Sequence, residues 1–229
     1  MREIVFDTET TGLDPRTGDR MVEIGCIEMI NRVPTGETFH AYFNPERDMP
    51  AGAEAVHGLS SAFLSDKPLF AELADALLEF LGEAQLVAHN AGFDFGFLNN
   101  ELALIGREPV CLTRMIDTVA IARKRHPGAK LSLDALCTRY GVDRSHRVKH
   151  GALLDAELLS QVYVELTGGR QIGLGLAEAA PDTAAIDTLH VPVCAERQVR
   201  APRPHFASEA ELVRHRDFIG TIETPLWGR

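Results

Sequence analysis

The order of the periodic patterns along the chain is the feature that most constrains its fold. Ile4–Phe6 is a short apolar run typical of a buried strand, and alternation over 22–29 and 38–43 predicts two more strands. The turn-like segment 31–36 separates these two, so we expect them to form an antiparallel pair. Strands followed by alternating helices and strands predict an α/β fold in which helices cover both faces of a mixed sheet.

The later elements are marked by apolar residues at helical spacing and by glycines that stop helices. They are a helix over 70–81, a buried strand over 86–88, and helices over 93–105, 133–140 and 151–167. Ser132 fits the N-cap of the helix that runs through Tyr140.

The pattern changes after Gly169. Glycines, an alanine-rich stretch and four prolines predict a flexible linker. Helical periodicity returns over 208–219, where Ser208 and Glu211 have the spacing of a capping box. The expected organisation is a folded domain over 1–170, a linker over 171–204 and a separate tail over 205–229.

The charge distribution is uneven. The net charge of −10 argues at first against nucleic acid, because non-specific DNA-binding proteins are usually basic. Acidic residues dominate 1–106, whereas basic residues dominate 107–149. The second stretch is therefore a candidate phosphate-facing surface, with a solvated helix face as the alternative.

Three features indicate a cytoplasmic protein that does not enter a membrane. No apolar run reaches the roughly 18 residues that a membrane span needs. The N-terminus has no signal-peptide pattern, since its first strand leads directly to an acidic residue. The four cysteines form no CxxC pair, which is typical of reduced thiols in a cytosol.

Asp7 and Glu9 follow the first buried strand. Alternate residues of a strand share a face, so both carboxylates should project the same way. Two acids held together are costly unless a cation neutralises them, and their oxygen ligands suit Mg²⁺ or Mn²⁺. The pair is a weak signal by itself, because two exposed acids at a turn would look the same.

Three further residues can face the same cleft. Asp94 lies at the start of a helix that follows the strand over 86–88. The alternative is that its carboxylate does no more than stabilise the N-terminus of that helix. His150 precedes the helix over 151–167, and Asp155 lies about one turn inside it. A lone histidine is more often structural, so this pair also carries little weight alone.

Together, four carboxylates and one histidine suit metal-dependent phosphodiester hydrolysis. Two divalent cations about 4 Å apart can activate a water and stabilise the leaving 3′ oxygen. An imidazole titrates close to neutral pH, so His150 would accept the proton of the water as general base. The sequence contains no Gly-x-x-x-x-Gly-Lys phosphate loop and no Cys/His zinc spacing.

The three segments that hold these residues resemble the motifs of the DEDDh 3′→5′ exonuclease family in order and spacing. They are Asp7–Gly12, His89–Asp94 and His150–Asp155. The resemblance implies a ribonuclease H-like fold with a mixed five-stranded sheet flanked by helices. It also implies that Asp7, Glu9, Asp94 and Asp155 bind two divalent cations and that His150 is the general base. A tyrosine in place of His150 would have indicated the DEDDy group.

Other segments resemble the epsilon proofreading subunits of bacterial DNA polymerase III, which belong to this family. They are Val56–Gly58, Ile116–Thr118, Ser132–Cys137 and Thr167–Gly169. The substrate-binding residues that the resemblance implies are Asp7, Glu9, Thr10, Gly52, His57, Asn90, Phe93 and Asp155. Gly52 departs from the pattern, because some relatives have a glutamate there and glycine offers no side chain for the contact.

The C-terminal region adds two resemblances. Gln171–Leu176 is similar to short peptides that bind the sliding clamp, with Gln171, Leu174 and Leu176 as anchors; an ordinary apolar start of a linker is the alternative. The tail over 205–229 resembles the segment with which epsilon subunits bind the polymerase alpha subunit. Its terminal Leu226 and Trp227 are more typical of an interface than of a surface in water.

The resemblance therefore implies a 3′→5′ proofreading exonuclease of a bacterial replicative polymerase, which acts on a DNA 3′ end and releases nucleoside 5′-monophosphates. Two alternatives remain open. One is a free-standing DEDDh nuclease for RNA or oligonucleotides, and the other is an inactive adaptor between polymerase and clamp.

Overall fold

A five-stranded mixed sheet organises the first of the two units into which the chain divides. The computed structural model describes residues 1–147, 149–169 and 206–223. The strands are β1 (Arg2–Thr10), β2 (Met21–Ile30), β3 (Val33–Tyr42), β4 (Gln85–Ala88) and β5 (Met115–Asp117). Their order is β3-β2-β1-β4-β5, and β1 is antiparallel to β2 but parallel to β4. The predicted mixed sheet is confirmed, including the antiparallel pairing of β2 with β3.

Besides two short 3-10 helices, seven α-helices lie in the described part of this unit. They are α1 (Ala51–His57), α2 (Ser61–Leu64), α3 (Phe70–Leu81), α4 (Gly92–Leu104), α5 (Thr118–Arg125), α6 (Leu133–Tyr140) and α7 (Ala152–Leu166). The helices predicted over 70–81, 93–105, 133–140 and 151–167 are confirmed. Ser132 caps α6, because its hydroxyl accepts the N–H of Ala135.

The alternation of β1 gives the sheet two apolar faces. Ile4 and Phe6 pack into a core with residues of α3 and α4, including Leu77 and Phe95. Val5 faces the other way and packs with Leu159 of α7. Helices therefore cover both faces, as the sequence predicts.

The predicted connection between β2 and β3 was wrong in its extent. The turn is limited to Asn31 and Arg32, whose φ angles of 52° and 66° match a two-residue type I′ turn. β3 begins at Val33 and runs through Pro34 and Gly36. These residues are tolerated because β3 is an edge strand and Pro34 needs no ladder donor there.

Gly25 allows α7 to pack directly on the sheet beside the first acidic residue. In the β1–β2 ladder Gly25 pairs with Asp7. A Cβ at Gly25 would lie 2.3 Å from the backbone nitrogen of Leu153, closer than atoms can approach. The first turn of α7, which carries Asp155, therefore contacts the strand next to Asp7 without an intervening side chain.

The second unit contains α8 (Glu209–Gly220), which confirms the helix predicted over 208–219. The capping box is present, since Ser208 accepts the N–H of Glu211 and Glu211 accepts the N–H of Ser208. Large apolar side chains of this segment are exposed within the unit, with Phe206 at 88% and Phe218 at 63%.

Within the described residues, none of the helices combines the length and apolar character required to cross a membrane.

Replacing Gly25 with alanine should destabilise the domain by about 1–3 kcal/mol or more, because the added methyl group overpacks the β2–α7 contact. Gly96→Ala is a matched control, since a Cβ at Gly96 in α4 meets no atom within 4 Å. That change should be neutral or slightly stabilising. Urea unfolding of both variants measures the difference, and equal midpoints would contradict the close approach.

Candidate active site

Most of the acidic residues singled out in the sequence lie in one cleft of about 280 Å³. Its lining includes seven of the predicted site residues: Asp7, Glu9, Asn90, Phe93, Asp94, His150 and Asp155. They come from β1, from the start of α4 and from the start of α7. Residues far apart in sequence are thus brought together where the sheet meets two helices.

The β1 residues follow from strand geometry. Asp7 and Glu9 are alternate residues of β1 and so share a face. Glu9 is buried and Asp7 is partly exposed. Thr8, between them, donates its hydroxyl to Asp94 Oδ1 at 2.8 Å. That hydrogen bond ties β1 to the first turn of α4.

The turn before α4 is fixed by backbone contacts. Asn90 has a φ of 64°, a left-handed conformation that asparagine adopts more readily than most residues. Its N–H donates to Asp117 Oδ1 at 3.1 Å, and the same oxygen accepts the N–H of Val119 and so caps α5. This arrangement sets where α4 begins and therefore where Asp94 lies.

The last two predicted residues lie at the start of α7. His150 Nδ1 is 3.1 Å from Asp155 Oδ2, and Asp155 is buried while His150 is exposed. The His150 N–H donates to the carbonyl of Val56 at 3.3 Å, so the end of α1 supports this segment. Ligand atoms of Glu9, His150 and Asp155 lie within 4.8 Å of one another.

Burial and mutual repulsion make the carboxyl groups of Asp7, Glu9 and Asp94 difficult to ionise. Burial, followed by the charges of Asp94 and Asp155, raises the pKa of Asp7 well above its usual range. Burial and the neighbouring Glu23 raise the pKa of Glu9 to about 8. Burial raises the pKa of Asp94 to about 7, although the hydrogen bond from Thr8 opposes that shift.

Arg147 is a site residue that the sequence reasoning missed. Its side chain is only 8% exposed and lies against Asp155, with Nη2 donating to Asp155 Oδ2 at 2.6 Å. The same nitrogen donates to His150 Nδ1 at 2.7 Å. The only sequence signal was its place in the basic stretch 107–149, three residues before His150.

The cleft also contains residues that were not predicted to act: Thr8, His89, Ser132, Leu133 and Asp134. His89 is held by Thr118, whose hydroxyl lies 2.9 Å from Nδ1. Burial lowers the pKa of His89, so this imidazole is kept neutral.

The donor set of the cleft fits hard divalent cations. Four carboxylates converge, and carboxylate oxygens are the preferred ligands of Mg²⁺ and Mn²⁺. Asp155 Oδ1 is buried and lacks a hydrogen-bond partner among the residues described. That oxygen lies 2.6 Å from Arg147 Nε in an ion pair, so a cation would reach it only in place of the guanidinium, and cations would offset the repulsion among the acids.

The remaining predicted substrate residues, Thr10, Gly52 and His57, are not part of the lining of this cleft. The Thr10 hydroxyl donates to the carbonyl of Gly12 at 2.6 Å. Gly52 lies in α1 with open space around it. His57 is buried at the end of α1, and its Nδ1 accepts the N–H of Leu59 at 3.0 Å.

The proposed clamp anchors Gln171, Leu174 and Leu176 lie outside the described residues, as do the linker over 171–204 and the terminal Leu226 and Trp227. Those expectations therefore stay predictions.

Comparison with known proteins agrees with this geometry. A family model described as Exonuclease, RNase T, matches residues 4–163. The DNA polymerase III subunit epsilon of Rickettsia felis is 50% identical over 225 residues, which cover 97% of each chain. The subunit of the same name from Escherichia coli K12 is 41% identical over 230 residues, which cover 97% of this chain and 93% of its own.

Solved structures show the same fold. Exonuclease X, solved with 5′ overhanging duplex DNA, is 26% identical with a TM-score of 0.57, over 72% of this chain and 90% of its own. The nuclease domain of 3′hExo, a DEDDh family member solved with rAMP, has a TM-score of 0.63 over 72% of this chain and 91% of its own. At 16% identity this similarity concerns the fold alone, and it confirms the predicted ribonuclease H-like sheet.

Cation binding should release protons near neutral pH, because Glu9 and Asp94 hold protons there that a ligand carboxylate must lose. Affinity for Mn²⁺ should therefore rise with pH up to about 8, the pKa of Glu9. Calorimetry in buffers with different ionisation enthalpies counts the protons. Binding heats that do not depend on the buffer at pH 7 would contradict the raised pKa values.

A matched pair of variants tests the cause of the raised pKa of Glu9 without changing any of the four proposed metal ligands. Glu23 lies opposite Glu9 in the β1–β2 ladder, so Glu23→Gln should lower the pKa of Glu9 and reduce proton release. Glu28→Gln changes another β2 carboxylate, one paired with Arg2, and should leave proton release unchanged.

Proposed function

This chain belongs to the exonuclease family that includes the epsilon subunits of bacterial DNA polymerase III, and we propose that it is the 3′→5′ proofreading exonuclease of such a polymerase. The observation that carries the proposal is the convergence of four carboxylates and a histidine in one cleft. The reaction is hydrolysis of the terminal phosphodiester at a DNA 3′ end, with release of a nucleoside 5′-monophosphate.

We assign the ligand role to Asp7, Glu9, Asp94 and Asp155. Two divalent cations held there, Mg²⁺ or Mn²⁺, would supply water activation and charge neutralisation at the phosphate. The carboxylates are held in place by β1, α4 and α7, so the site needs little rearrangement of backbone to bind them.

We assign the general-base role to His150. Its imidazole is exposed at the cleft and only 3.1 Å from Asp155, so a proton acceptor lies beside the ligand oxygens. No serine or cysteine nucleophile is needed, because water attacks the phosphorus directly in this chemistry. The base removes the proton of that water.

His57 is suited to contact the nucleotide. Because its Nδ1 accepts a hydrogen bond, the neutral ring carries its proton on Nε2. That nitrogen is buried and has no hydrogen-bond partner within the described part of the chain. Burial lowers the pKa of His57, although the nearby Thr10 backbone opposes that shift, so the ring stays neutral. Because Nε2 is buried, a contact with the nucleotide requires a local rearrangement that exposes this nitrogen, and we assign the role to His57 on the resemblance.

The entrance of the cleft suits an unpaired nucleotide. Phe93 is half-buried and packs on Phe97, with ring centroids 4.9 Å apart, which leaves part of its ring free for a base. Asn90 is exposed next to it. Base–aromatic stacking is sequence-tolerant, as proofreading of any terminal nucleotide requires. Thr10 and Gly52 complete the proposed substrate set on the resemblance alone.

Two partner sites complete the proposal. Residues 205–229 would bind the polymerase alpha subunit, which agrees with the exposed apolar side chains of α8. Gln171–Leu176 would bind the sliding clamp. Such an assembly works in the cytoplasm at the replication fork. Its partners supply most of the binding to DNA, so the net charge of −10 does not prevent this subunit from acting there.

Two observations weigh against the alternatives. A free-standing RNA or oligonucleotide nuclease would not share 97% of its length with epsilon subunits, tail included. An inactive adaptor would not need four acids and a histidine in one cleft, since burying them together is costly.

Replacing His150 with alanine should lower kcat on single-stranded DNA by roughly 100-fold or more, the usual scale for losing a general base. His146→Ala is the control, because His146 is exposed in the same loop and does not line the cleft. Rates with 5′-labelled DNA and Mg²⁺ provide the measurement. A wild-type rate for the His150 variant, or a defect that excess Mn²⁺ removes, would show that the role is wrong.

Two variants should separate the partner sites, each as the control for the other. Leu212→Ala with Phe218→Ala removes exposed apolar surface of α8 and should weaken alpha-subunit binding more than tenfold, because each large side chain contributes about 1.5–3 kcal/mol when buried. Alanine at Gln171, Leu174 and Leu176 should weaken clamp binding only. Both should degrade free single-stranded DNA normally. Surface-binding titrations in which either variant binds both partners like wild type would remove that site.

A further inference from the structure

Arg147 is a cation enclosed by the catalytic cleft. Its guanidinium contacts three residues at once, since Nη2 donates to Asp155 Oδ2 and to His150 Nδ1, while Nη1 donates to Asp134 Oδ1 at 2.7 Å. The side chain is 8% exposed, so these contacts are made largely out of water. A buried arginine pairs strongly with carboxylates because its charge is never lost.

The first consequence concerns the metal ligand. Arg147 Nε lies 2.6 Å from Asp155 Oδ1, and Nη2 holds Oδ2, so the guanidinium covers both oxygens of that carboxylate. A divalent cation and a guanidinium cannot share the same face of one carboxylate, because like charges at that distance repel strongly. Cation binding at Asp155 therefore requires Arg147 to move.

The second consequence concerns the base. A neutral imidazole has a single accepting nitrogen, and Arg147 donates into Nδ1 of His150. That lone pair is then unavailable to a water. One side chain thus occupies both a proposed ligand and the proton acceptor of the proposed base.

The third observation is that Asp134, which Arg147 already contacts, can hold the guanidinium after it leaves Asp155. Asp134 is half exposed at the edge of the cleft and also pairs with Arg144 at 2.9 Å. An adjoining cavity of about 230 Å³ is lined by Asp134, Arg144, Arg147, Lys149 and His150. Three basic side chains against one acid make this edge attractive to phosphate.

We propose that Arg147 is an internal counter-ion that covers Asp155 until a cation binds there, and that cation binding releases its guanidinium from Asp155 while the contact with Asp134 is kept, so that the guanidinium binds the DNA phosphate backbone beside Asp134. This inference rests on the proposed function, because it assumes that Asp155 binds a cation. Cations take the position at Asp155 that the guanidinium leaves, and the DNA phosphate takes a position that the guanidinium then contacts. The site is therefore complete only when cations and DNA are both present.

The test is Mn²⁺ binding to the full-length protein without DNA, measured by calorimetry at fixed pH. Arg147→Gln removes the competing charge and should bind Mn²⁺ at least tenfold more tightly than wild type. A residue with only a structural role would not produce a gain in affinity. Arg144→Gln is the matched control: it makes the same change in charge at a residue that also pairs with Asp134, and its affinity should equal that of wild type.

Thermal unfolding gives a second readout. Metal-free Arg147→Gln should melt below wild type, because loss of one partner leaves Asp155 buried and unpaired. Saturating Mn²⁺ should remove most of the difference. If the glutamine variant does not fold, Arg147→Lys replaces it, with a smaller gain in affinity because an ammonium cannot cover both carboxylate oxygens.

The outcomes are distinct. Equal or weaker Mn²⁺ binding by the folded Arg147 variants would overturn the inference and leave the proposed function standing. Absence of Mn²⁺ binding by wild type and variants alike would overturn both. The second half of the proposal is tested by Asp134→Asn, which should raise KM for single-stranded DNA roughly threefold or more with a smaller change in kcat. An unchanged KM would overturn the proposal that Asp134 holds the Arg147 guanidinium for binding of DNA.

Discussion

Repulsion among four carboxylates that are mostly buried in one cleft is the constraint on which the rest of this structure depends. Asp94 and Asp155 are almost fully buried, and Glu9 is only 8% exposed. Each charge raises the cost of ionising the next, so the site must hold protons, an arginine or metal cations. Thr8 and Arg147 are its local compensations, and both contact a carboxylate directly. The chemistry follows from the same cost, because a cleft in which four carboxylates face the single arginine Arg147 among its described lining residues attracts divalent cations.

The fold increases that repulsion because it brings the backbones of β2 and α7 very close together. β1 lies at the centre of the sheet, and its neighbour β2 presents Gly25 to the first turn of α7. A larger residue there would move Asp155 away from Asp7 and relax the repulsion. Buried ion pairs placed further out, such as Arg20 with Glu101, fix α4 to the start of β2. Stability is thus supplied by the surroundings, while the cleft itself remains strained electrostatically.

Most of the site could be predicted from the sequence because its acids occur at positions set by local geometry. Strand alternation places Asp7 with Glu9, and a helix begins within each of the other two motifs. Arg147 could not be predicted, because a basic stretch does not tell which of its side chains turns inward. Only the packing of the loop before α7 against Asp134 and Asp155 decides that.

The fold shows the same division between local and long-range information. Helices with strong periodicity, such as α3, were predicted at their observed bounds. The three-residue β5 and the two short helices α1 and α2 carry too few residues for a period to show. Pairing with β4 stabilises β5, the hydrogen bond from His150 to Val56 supports α1, and α2 packs through Leu64 against Val22 and Met49. β3 was shortened in the prediction because Pro34 and Gly36 look like turn residues, whereas an edge strand accepts both.

The negative net charge of the protein is consistent with a reaction on DNA, because affinity for DNA and catalysis at the cleft are separate requirements. A nuclease that gripped DNA strongly by itself would compete with extension of a correct primer end. Here the basic side chains nearest the cleft, Arg144 and Lys149, form only a narrow edge, and Arg147 is engaged by acids. With the proposed partners, residence at the primer would depend on the local concentration of the enzyme that they provide. Selection between correct and incorrect ends can then depend on how readily the last nucleotide unpairs and reaches a cleft of about 280 Å³, which costs less for a mismatch.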